Sequence, residues 1–201
     1  MNLPNKISLT RIFMIPVFVL IFFLDKVIPF AYGISAIIFA IAACTDFIDG
    51  HIARSRNLVT NLGKFLDPIA DKVLVSTAMI LLLTMKNTLF AKLTDLASAL
   101  YVATAIAVCI ILARELIISA FRQIAAANGK VLAAEKLGKY KTAFQDVSLV
   151  ILLFSASITG KFGVVLAWIG FALFGVATVL TVVSGISYVV KNKQVLKDDN
   201  A

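Results

Sequence analysis

Acidic residues are scarce in this chain, which has 11 Asp and Glu against 19 Lys and Arg, and only 15% of its 201 residues are charged. Soluble domains usually carry charge on about a quarter of their residues. Cysteine and histidine are scarcer still. Cys44 and Cys109 lie in apolar runs without CxxC spacing, which argues against a disulfide framework or a zinc site. His51 is the only histidine, so a metal site built on several histidines is excluded.

Apolar residues are present in excess. They make up 61% of the chain, against about half in soluble domains, and the mean hydropathy is +0.99. We therefore expect residues 1–201 to form a single membrane-embedded domain with no separate soluble domain. The net charge of +8 suits anionic lipids or anionic substrates. No nucleic-acid partner is expected, because the chain lacks a soluble basic face to bind one.

The apolar segments predict an all-α integral membrane fold with six transmembrane helices. An N-terminal interfacial segment, residues 1–11, precedes them, and its Lys6 and Arg11 are expected to reach lipid headgroups. The first apolar run is short for a span of about twenty residues, so it has to extend to about Ile28. The expected spans are residues 12–28, 27–45, 63–85, 96–127, 142–158 and 162–190.

Basic residues are distributed unevenly between the two sides of this six-span arrangement. One side holds 13 Lys and Arg and the other side holds four. Because cytoplasmic loops are enriched in Lys and Arg, this asymmetry predicts a multi-pass protein of the cytoplasmic membrane with both termini in the cytoplasm.

Four of the eleven acidic residues fall between positions 46 and 71, with apolar segments on both sides. Asp46 and Asp49 are three residues apart and Asp67 and Asp71 are four apart, so each pair shares one helix face. Uncompensated carboxylates near hydrocarbon are costly, and oxygen ligands from two helices suit Mg²⁺ or Mn²⁺. A purely structural salt-bridge cluster is the alternative, but too few basic residues lie nearby to balance it.

The pattern D-x2-D-G-x2-A-R-x8-G-x3-D-x3-D resembles the signature of the CDP-alcohol phosphotransferases. It is matched here without a departure by Asp46, Asp49, Gly50, Ala53, Arg54, Gly63, Asp67 and Asp71. The resemblance implies an intramembrane, usually homodimeric enzyme that binds two divalent cations. Such an enzyme transfers a phosphatidyl or similar group from a CDP-linked donor to an alcohol and releases CMP.

The resemblance also implies roles for the motif residues. The four aspartates would hold the two cations, Mg²⁺ or Mn²⁺, and Asp71 would also be the catalytic general base on the acceptor hydroxyl. Contacts to the CDP-lipid are expected from Asp49, Gly50, Ala53, Arg54 and Gly63. The active site would then lie on the cytoplasmic side, where it can meet soluble metabolites and a lipid together.

A second basic group suits an acceptor that carries its own phosphate, and it consists of Arg114, Arg122, Lys136, Lys139 and Lys141. Within it, Arg114, Lys139 and Lys141 are expected to bind the acceptor phosphate. Either Glu115 or a neighbouring helix is expected to balance Arg114. Residues 5–11, 113–115 and 139–142 resemble the phosphatidylglycerophosphate synthase branch of the family. That branch uses CDP-diacylglycerol and sn-glycerol 3-phosphate. The same chemistry on phosphatidylglycerol (as in a cardiolipin synthase of this fold), inositol phosphate or serine remains the alternative.

Two rival functions use spaced aspartates differently. A membrane prenyltransferase also holds a diphosphate through Mg²⁺, but its resemblance to this chain stops at the aspartates. A cation transporter could bind its ion through such carboxylates. It would not require Gly50, Ala53 and Gly63 at fixed spacing, and no internal repeat typical of a transporter is visible.

Overall fold

The computed structural model describes the backbone of residues 3–55, 61–127 and 136–196. It also describes the side chains in those ranges except those of residues 3–8, 46–55, 61–68, 94–95, 127, 136 and 195–196. This part of the chain contains helices and connections and no strand, so the all-α prediction is confirmed. The elements are α1 (Leu3–Phe23), α2 (Ala31–Ser55), α3 (Asn61–Thr84), α4 (Ala97–Ala127), α5 (Lys136–Ser157) and α6 (Gly160–Lys191), with 3₁₀ helices at Phe90–Leu96 and Lys193–Leu196.

Two of these helices are long and apolar enough to cross a membrane. Their candidate spans, Ala97–Ala126 and Gly160–Lys191, have mean hydropathies of 2.2 and 2.3. Only 22% and 33% of their apolar windows are buried inside the protein, so most of this apolar surface faces outward. An outward apolar surface of this kind is stable in lipid. The apolar stretches Leu9–Phe23 and Ala31–Thr45 are shorter, and six complete spans remain a prediction.

The first helix differs from the expectation at both ends. It is continuous from Leu3, so residues 3–11 form its first turns and are not a separate element. It ends at Phe23 and does not reach Ile28. Pro29 follows closely and Phe30 has a φ of 67°, a left-handed conformation that no helix continues.

Arg11 does not reach lipid headgroups, and that prediction was wrong. Its side chain is fully buried between α1 and α2. Its Nε donates to the carbonyl oxygen of Ala42 at 3.1 Å and to Oγ1 of Thr45 at 3.3 Å. Because a buried guanidinium must find acceptors, these bonds to α2 hold the arginine inside the bundle.

The helices alternate in direction and give the bundle two ends. One end, called here the aspartate end, holds the starts of α1, α3 and α5 and the ends of α2, α4 and α6. The other, called here the hairpin end, holds the connections at residues 24–30, 85–96 and 158–159. Both halves of the aspartate motif therefore lie at one end of the molecule.

Lys92 connects two segments at the hairpin end by hydrogen bonds. Its Nζ donates to the carbonyl oxygens of Ser155 at 2.8 Å, Ala156 at 2.7 Å and Ile158 at 2.8 Å. Ser155 and Ala156 lie in the last turn of α5, where backbone acceptors have few helical partners, and Ile158 directly follows the helix. Burial lowers the pKa of Lys92, while the three carbonyl oxygens favour its charged form. The lysine thus ties the α3–α4 connection to α5.

The core lies along α5, which packs against α6 and α2. Close approach of α5 and α6 depends on Gly170, because a Cβ there would lie 2.7 Å from Cγ of Leu152. The largest buried apolar side chains come from several helices and include Phe18, Phe39, Leu74, Leu82, Leu149 and Leu152. This core holds α2, α3 and α5 side by side, and these helices carry most of the expected site.

Candidate active site

The motif lies on two helices that pack together. Asp46, Asp49, Gly50, Ala53 and Arg54 are on the last part of α2, and Gly63, Asp67 and Asp71 are on the first half of α3. Helical spacing puts Asp46 and Asp49 on one face of α2, and puts Asp67 and Asp71 on one face of α3. Asp71 is the one motif residue whose side chain the structure describes, and the side-chain roles predicted for the other seven lie outside the described residues. Four carboxylates brought to one end of two contacting helices are a donor set that fits hard divalent cations.

Asp71 opens onto a small pocket between three helices. The pocket is formed by α3, α4 and α5, and its walls carry both acidic and basic groups. Its lining residues are Asp71, Lys72, Val75, Ser76, Met79, Glu115, Lys141, Thr142 and Gln145. The predicted general base and one of the predicted phosphate ligands, Lys141, therefore share one pocket.

Glu115 organises the charges of this pocket. Its carboxylate pairs with Nζ of Lys141 and, at 3.1 Å, with Nη1 of Arg114. Lys141 is only 4% exposed, so its ammonium relies on Glu115 in place of water. Nζ of Lys72 contacts Oγ of Ser119, which donates in turn to the backbone carbonyl of Glu115 at 2.5 Å. Lys141 and Arg114 thus share the Glu115 carboxylate, and Lys72 is linked to the backbone of the same residue through Ser119.

The three residues predicted to bind acceptor phosphate are not all brought together. Lys141 faces the pocket and is buried, whereas Lys139 is exposed and does not line it. The two lysines are two residues apart on α5, and such positions do not share a helix face. Of these two lysines, the structure thus brings only Lys141 to the pocket of Asp71.

Arg114 points away from this pocket. Its Nη2 donates to Oγ of Ser184 on α6 at 3.1 Å, and its side chain packs against Gly185. The expectation that Glu115 balances Arg114 is confirmed by the 3.1 Å ion pair. Arg114 therefore touches the pocket only through Glu115.

Sequence reasoning assigned no site role to several polar residues in or near the pocket, and Gln145 and Arg11 are two of them. Gln145 lines the pocket and is 2% exposed, and its Oε1 has no hydrogen-bond partner among the described residues. The sequence does indicate this position, because Gln145 follows Lys141 by four residues and therefore lies on the same face of α5. The other is Arg11, which is bonded to Thr45, the residue before Asp46. Nothing local marks it, because its partners lie more than 30 residues away.

Comparison with known proteins identifies the family of this chain. The sequence profile of the CDP-alcohol phosphatidyltransferase family matches residues 1–192. The chain belongs to this family. The resemblance inferred from the aspartate motif is confirmed, and membership makes the chain a transferase of CDP-activated alcohols and a membrane protein. Divalent metal ions are general cofactors of this family.

Curated relatives match this chain over nearly its whole length. A protein of Bacillus subtilis (strain 168) is 40% identical, with 99% of each chain covered. One of Salmonella typhimurium (strain LT2) is 41% identical over 93% of this chain and 92% of its own. One of Rickettsia typhi is 36% identical over 93% of this chain and 94% of its own. Each relative is named CDP-diacylglycerol–glycerol-3-phosphate 3-phosphatidyltransferase.

Proposed function

We propose that this chain transfers the phosphatidyl group of CDP-diacylglycerol to sn-glycerol 3-phosphate, forming phosphatidylglycerophosphate and CMP. The observation that carries the proposal is the similarity to relatives of that name, at 36–41% identity over more than nine-tenths of the chain. The pocket supports it, because a buried ammonium lies in the same cavity as the candidate base. An acceptor with both a phosphate and a hydroxyl needs such a pair of groups.

Lys141 binds the acceptor phosphate in this proposal. The ion pair with Glu115 holds the Lys141 ammonium in position. Binding of the phosphate therefore costs little conformational entropy of this side chain. Charge-assisted bonds of this kind are stronger than neutral hydrogen bonds. Arg114 contributes indirectly, since it shares the Glu115 carboxylate and thereby leaves positive charge available at Lys141.

Asp71 acts as the general base. It accepts the proton of the acceptor hydroxyl as the oxygen attacks the phosphorus that bears the diacylglycerol. The bond from that phosphorus to the bridging oxygen breaks, and the electron pair leaves with CMP. Asp71 suits this step because it belongs to the aspartate cluster and also lines the pocket of Lys141.

Two divalent cations, Mg²⁺ or Mn²⁺, are proposed to be held by Asp46, Asp49, Asp67 and Asp71. When bound, they neutralise the diphosphate and stabilise the attacking and leaving oxygens. The CDP-lipid would be positioned beside them by Asp49, Gly50, Ala53, Arg54 and Gly63. The two glycines lack a Cβ, so the cytidine ribose or phosphates could approach the backbone closely there.

The placement in the cell is also part of the proposal. We assign the chain to the cytoplasmic membrane as a multi-pass protein with six spans, with both termini and the aspartate end facing the cytoplasm. The excess of Lys and Arg on that side, 13 against four, supports this orientation. Membrane lipid is then the surrounding solvent. A homodimer is proposed on the family resemblance.

The test is CMP release by the purified protein with CDP-diacylglycerol, Mg²⁺ or Mn²⁺, and one acceptor at a time. We expect release with sn-glycerol 3-phosphate and not with serine, inositol phosphate or phosphatidylglycerol. Release with one of the other acceptors would retain the catalytic assignment of Asp71 and refute the acceptor assignment. A lack of metal-dependent release with every acceptor would refute the proposed reaction.

A further inference from the structure

An apolar groove runs along the outer surface between α4 and α6, away from the pocket of Asp71. Its volume of about 490 Å³ lies within the range of ligand sites, roughly 300–1,000 Å³. The lining is almost wholly apolar, apart from one arginine, and consists of Ile110, Ala113, Arg114, Ile117, Ile118, Val182, Gly185, Ile186, Val189 and Val190.

The arginine in this groove is only partly satisfied. Two nitrogens of Arg114 are bonded, to Glu115 and to Ser184, but its Nε is buried and has no partner among the described residues. A buried guanidinium donor without an acceptor costs free energy. Gly185 leaves room for the arginine stem, since a Cβ there would lie 3.0 Å from its Cγ. A small rotation of this side chain would present its free donor to a ligand in the groove.

A second arginine stands at the aspartate end of the groove. Arg122 is exposed on α4, donates from Nε to Oη of Tyr188 at 3.2 Å and lies over that ring at 5.4 Å. It forms no ion pair with any acid that the structure describes. A guanidinium that is already held in one orientation can donate charge-assisted hydrogen bonds to an anion such as a phosphate.

The spacing of the two guanidinium groups indicates what would fill the groove. They are anchored on Ser184 and Tyr188, four residues apart on α6, which corresponds to about 6 Å along the helix. A glycerophospholipid has a phosphate at the membrane surface, ester carbonyls a few bonds deeper and acyl chains below. Its phosphate would meet Arg122, a carbonyl would meet Arg114, and a chain would lie in the groove.

We propose that the α4–α6 groove binds one phospholipid with an anionic headgroup as an accessory ligand, separate from the CDP-lipid. A second copy of the chain fits less well, because a two-fold interface would bring the same basic patch against itself. The reacting lipid fits less well because its diphosphate belongs with the aspartates of α2 and α3, and neither helix lines the groove. The proposal does not depend on the proposed reaction.

The experiment counts lipids bound to the intact protein by native mass spectrometry in a neutral detergent, without metal or CDP-lipid. Phosphatidylglycerol and phosphatidylcholine with identical acyl chains are the probes. We expect the wild-type protein to bind phosphatidylglycerol about tenfold more tightly than phosphatidylcholine, and Arg122→Gln to remove that preference. Arg122→Lys should restore much of it.

A matched pair of variants tests the groove itself. Ala113 and Ala103 are both exposed on α4, but only Ala113 lines the groove. Ala113→Trp should fill it and lower the affinity for both lipids, while Ala103→Trp should bind them as the wild-type protein does. Should Ala113→Trp not fold, the Arg122 pair still decides the headgroup assignment.

Three results would overturn the proposal. Equal binding of the two lipids by the wild-type protein would remove the role of the arginines. Undiminished phosphatidylglycerol binding by Ala113→Trp would place the lipid elsewhere. Stoichiometric displacement of phosphatidylglycerol by CDP-diacylglycerol would show that the groove belongs to the substrate.

Discussion

Replacing Lys141 with methionine tests whether Lys141, and not Lys139, binds the acceptor phosphate. Methionine keeps most of the apolar stem but removes the ammonium that lies beside Asp71. A charge-assisted bond to a phosphate contributes roughly 1.5–3 kcal/mol, so the KM for sn-glycerol 3-phosphate should rise about ten- to a hundredfold. The KM for CDP-diacylglycerol should change little, because this lipid is assigned to the motif on α2 and α3.

Lys139→Met is the comparison variant. It removes the same charge two residues away on the same helix, but its side chain is exposed and does not line the pocket. Exposed charges are screened by salt, so we expect a rise in acceptor KM of no more than about twofold. The assay is CMP release at varied acceptor and saturating CDP-diacylglycerol. Equal effects of the two substitutions would refute the division drawn from the structure.

Stability must be separated from binding in this experiment. Lys141→Met leaves Glu115 with Arg114 as its one ion-pair partner among the described residues, at 3.1 Å. Removing one member of a buried pair is costly, and with Arg114 still present we expect a loss of about 1–2 kcal/mol. Thermal unfolding measures this loss, and the KM is measured at a temperature where both proteins remain folded. A folded Lys141→Met variant that keeps the wild-type KM for the acceptor would show that Lys141 does not bind the acceptor phosphate.

Three further outcomes are expected. Asp71→Asn should keep much of the affinity for CDP-diacylglycerol but lower kcat about 10²- to 10⁴-fold, and near wild-type turnover would remove Asp71 as the base. Chelation by EDTA should stop CMP release, and adding Mg²⁺ or Mn²⁺ should restore it; activity that persists in EDTA would contradict the two-cation assignment. Lys92→Met should lower the free energy of unfolding by about 1–3 kcal/mol, because the carbonyls of Ser155, Ala156 and Ile158 lose a charged donor. Thermal unfolding measures this loss, with the exposed Lys161→Met as a control that should unfold like the wild-type protein.

The helices and the aspartate motif were predictable because their signals are local. Apolar runs and polar breaks place α3, α4 and α6 within two residues of where the structure has them. The helix α2 continues ten residues past the expected 45, and α5 begins six residues before the expected 142. The first helix was placed less well, because length alone was used to extend it to about Ile28, whereas it ends at Phe23. The family follows from eight residues at fixed spacing, which a single sequence displays in full.

The partners of the charged side chains were harder to predict, because they lie far apart along the chain. Arg11 meets acceptors 31 and 34 residues away, and Lys92 meets carbonyls more than 60 residues away. No local pattern encodes such contacts. The separation of Lys139 from Lys141 is different, because helical periodicity already puts them on different faces. Grouping them by charge alone overlooked that signal.

Adjacent residues of α4 connect the two sides of this helix. Arg114 reaches α6 and the groove, whereas Glu115 reaches α5 and the pocket, and the two side chains share an ion pair. A lipid oxygen that accepts from Arg114 would weaken its hold on Glu115, which would then bind Lys141 more strongly. Lipid in the groove should therefore raise the KM for the acceptor and leave that for CDP-diacylglycerol unchanged. Adding phosphatidylglycerol to the wild-type protein and to Ala113→Trp measures this coupling, and an equal response of both would show that it does not pass through the groove.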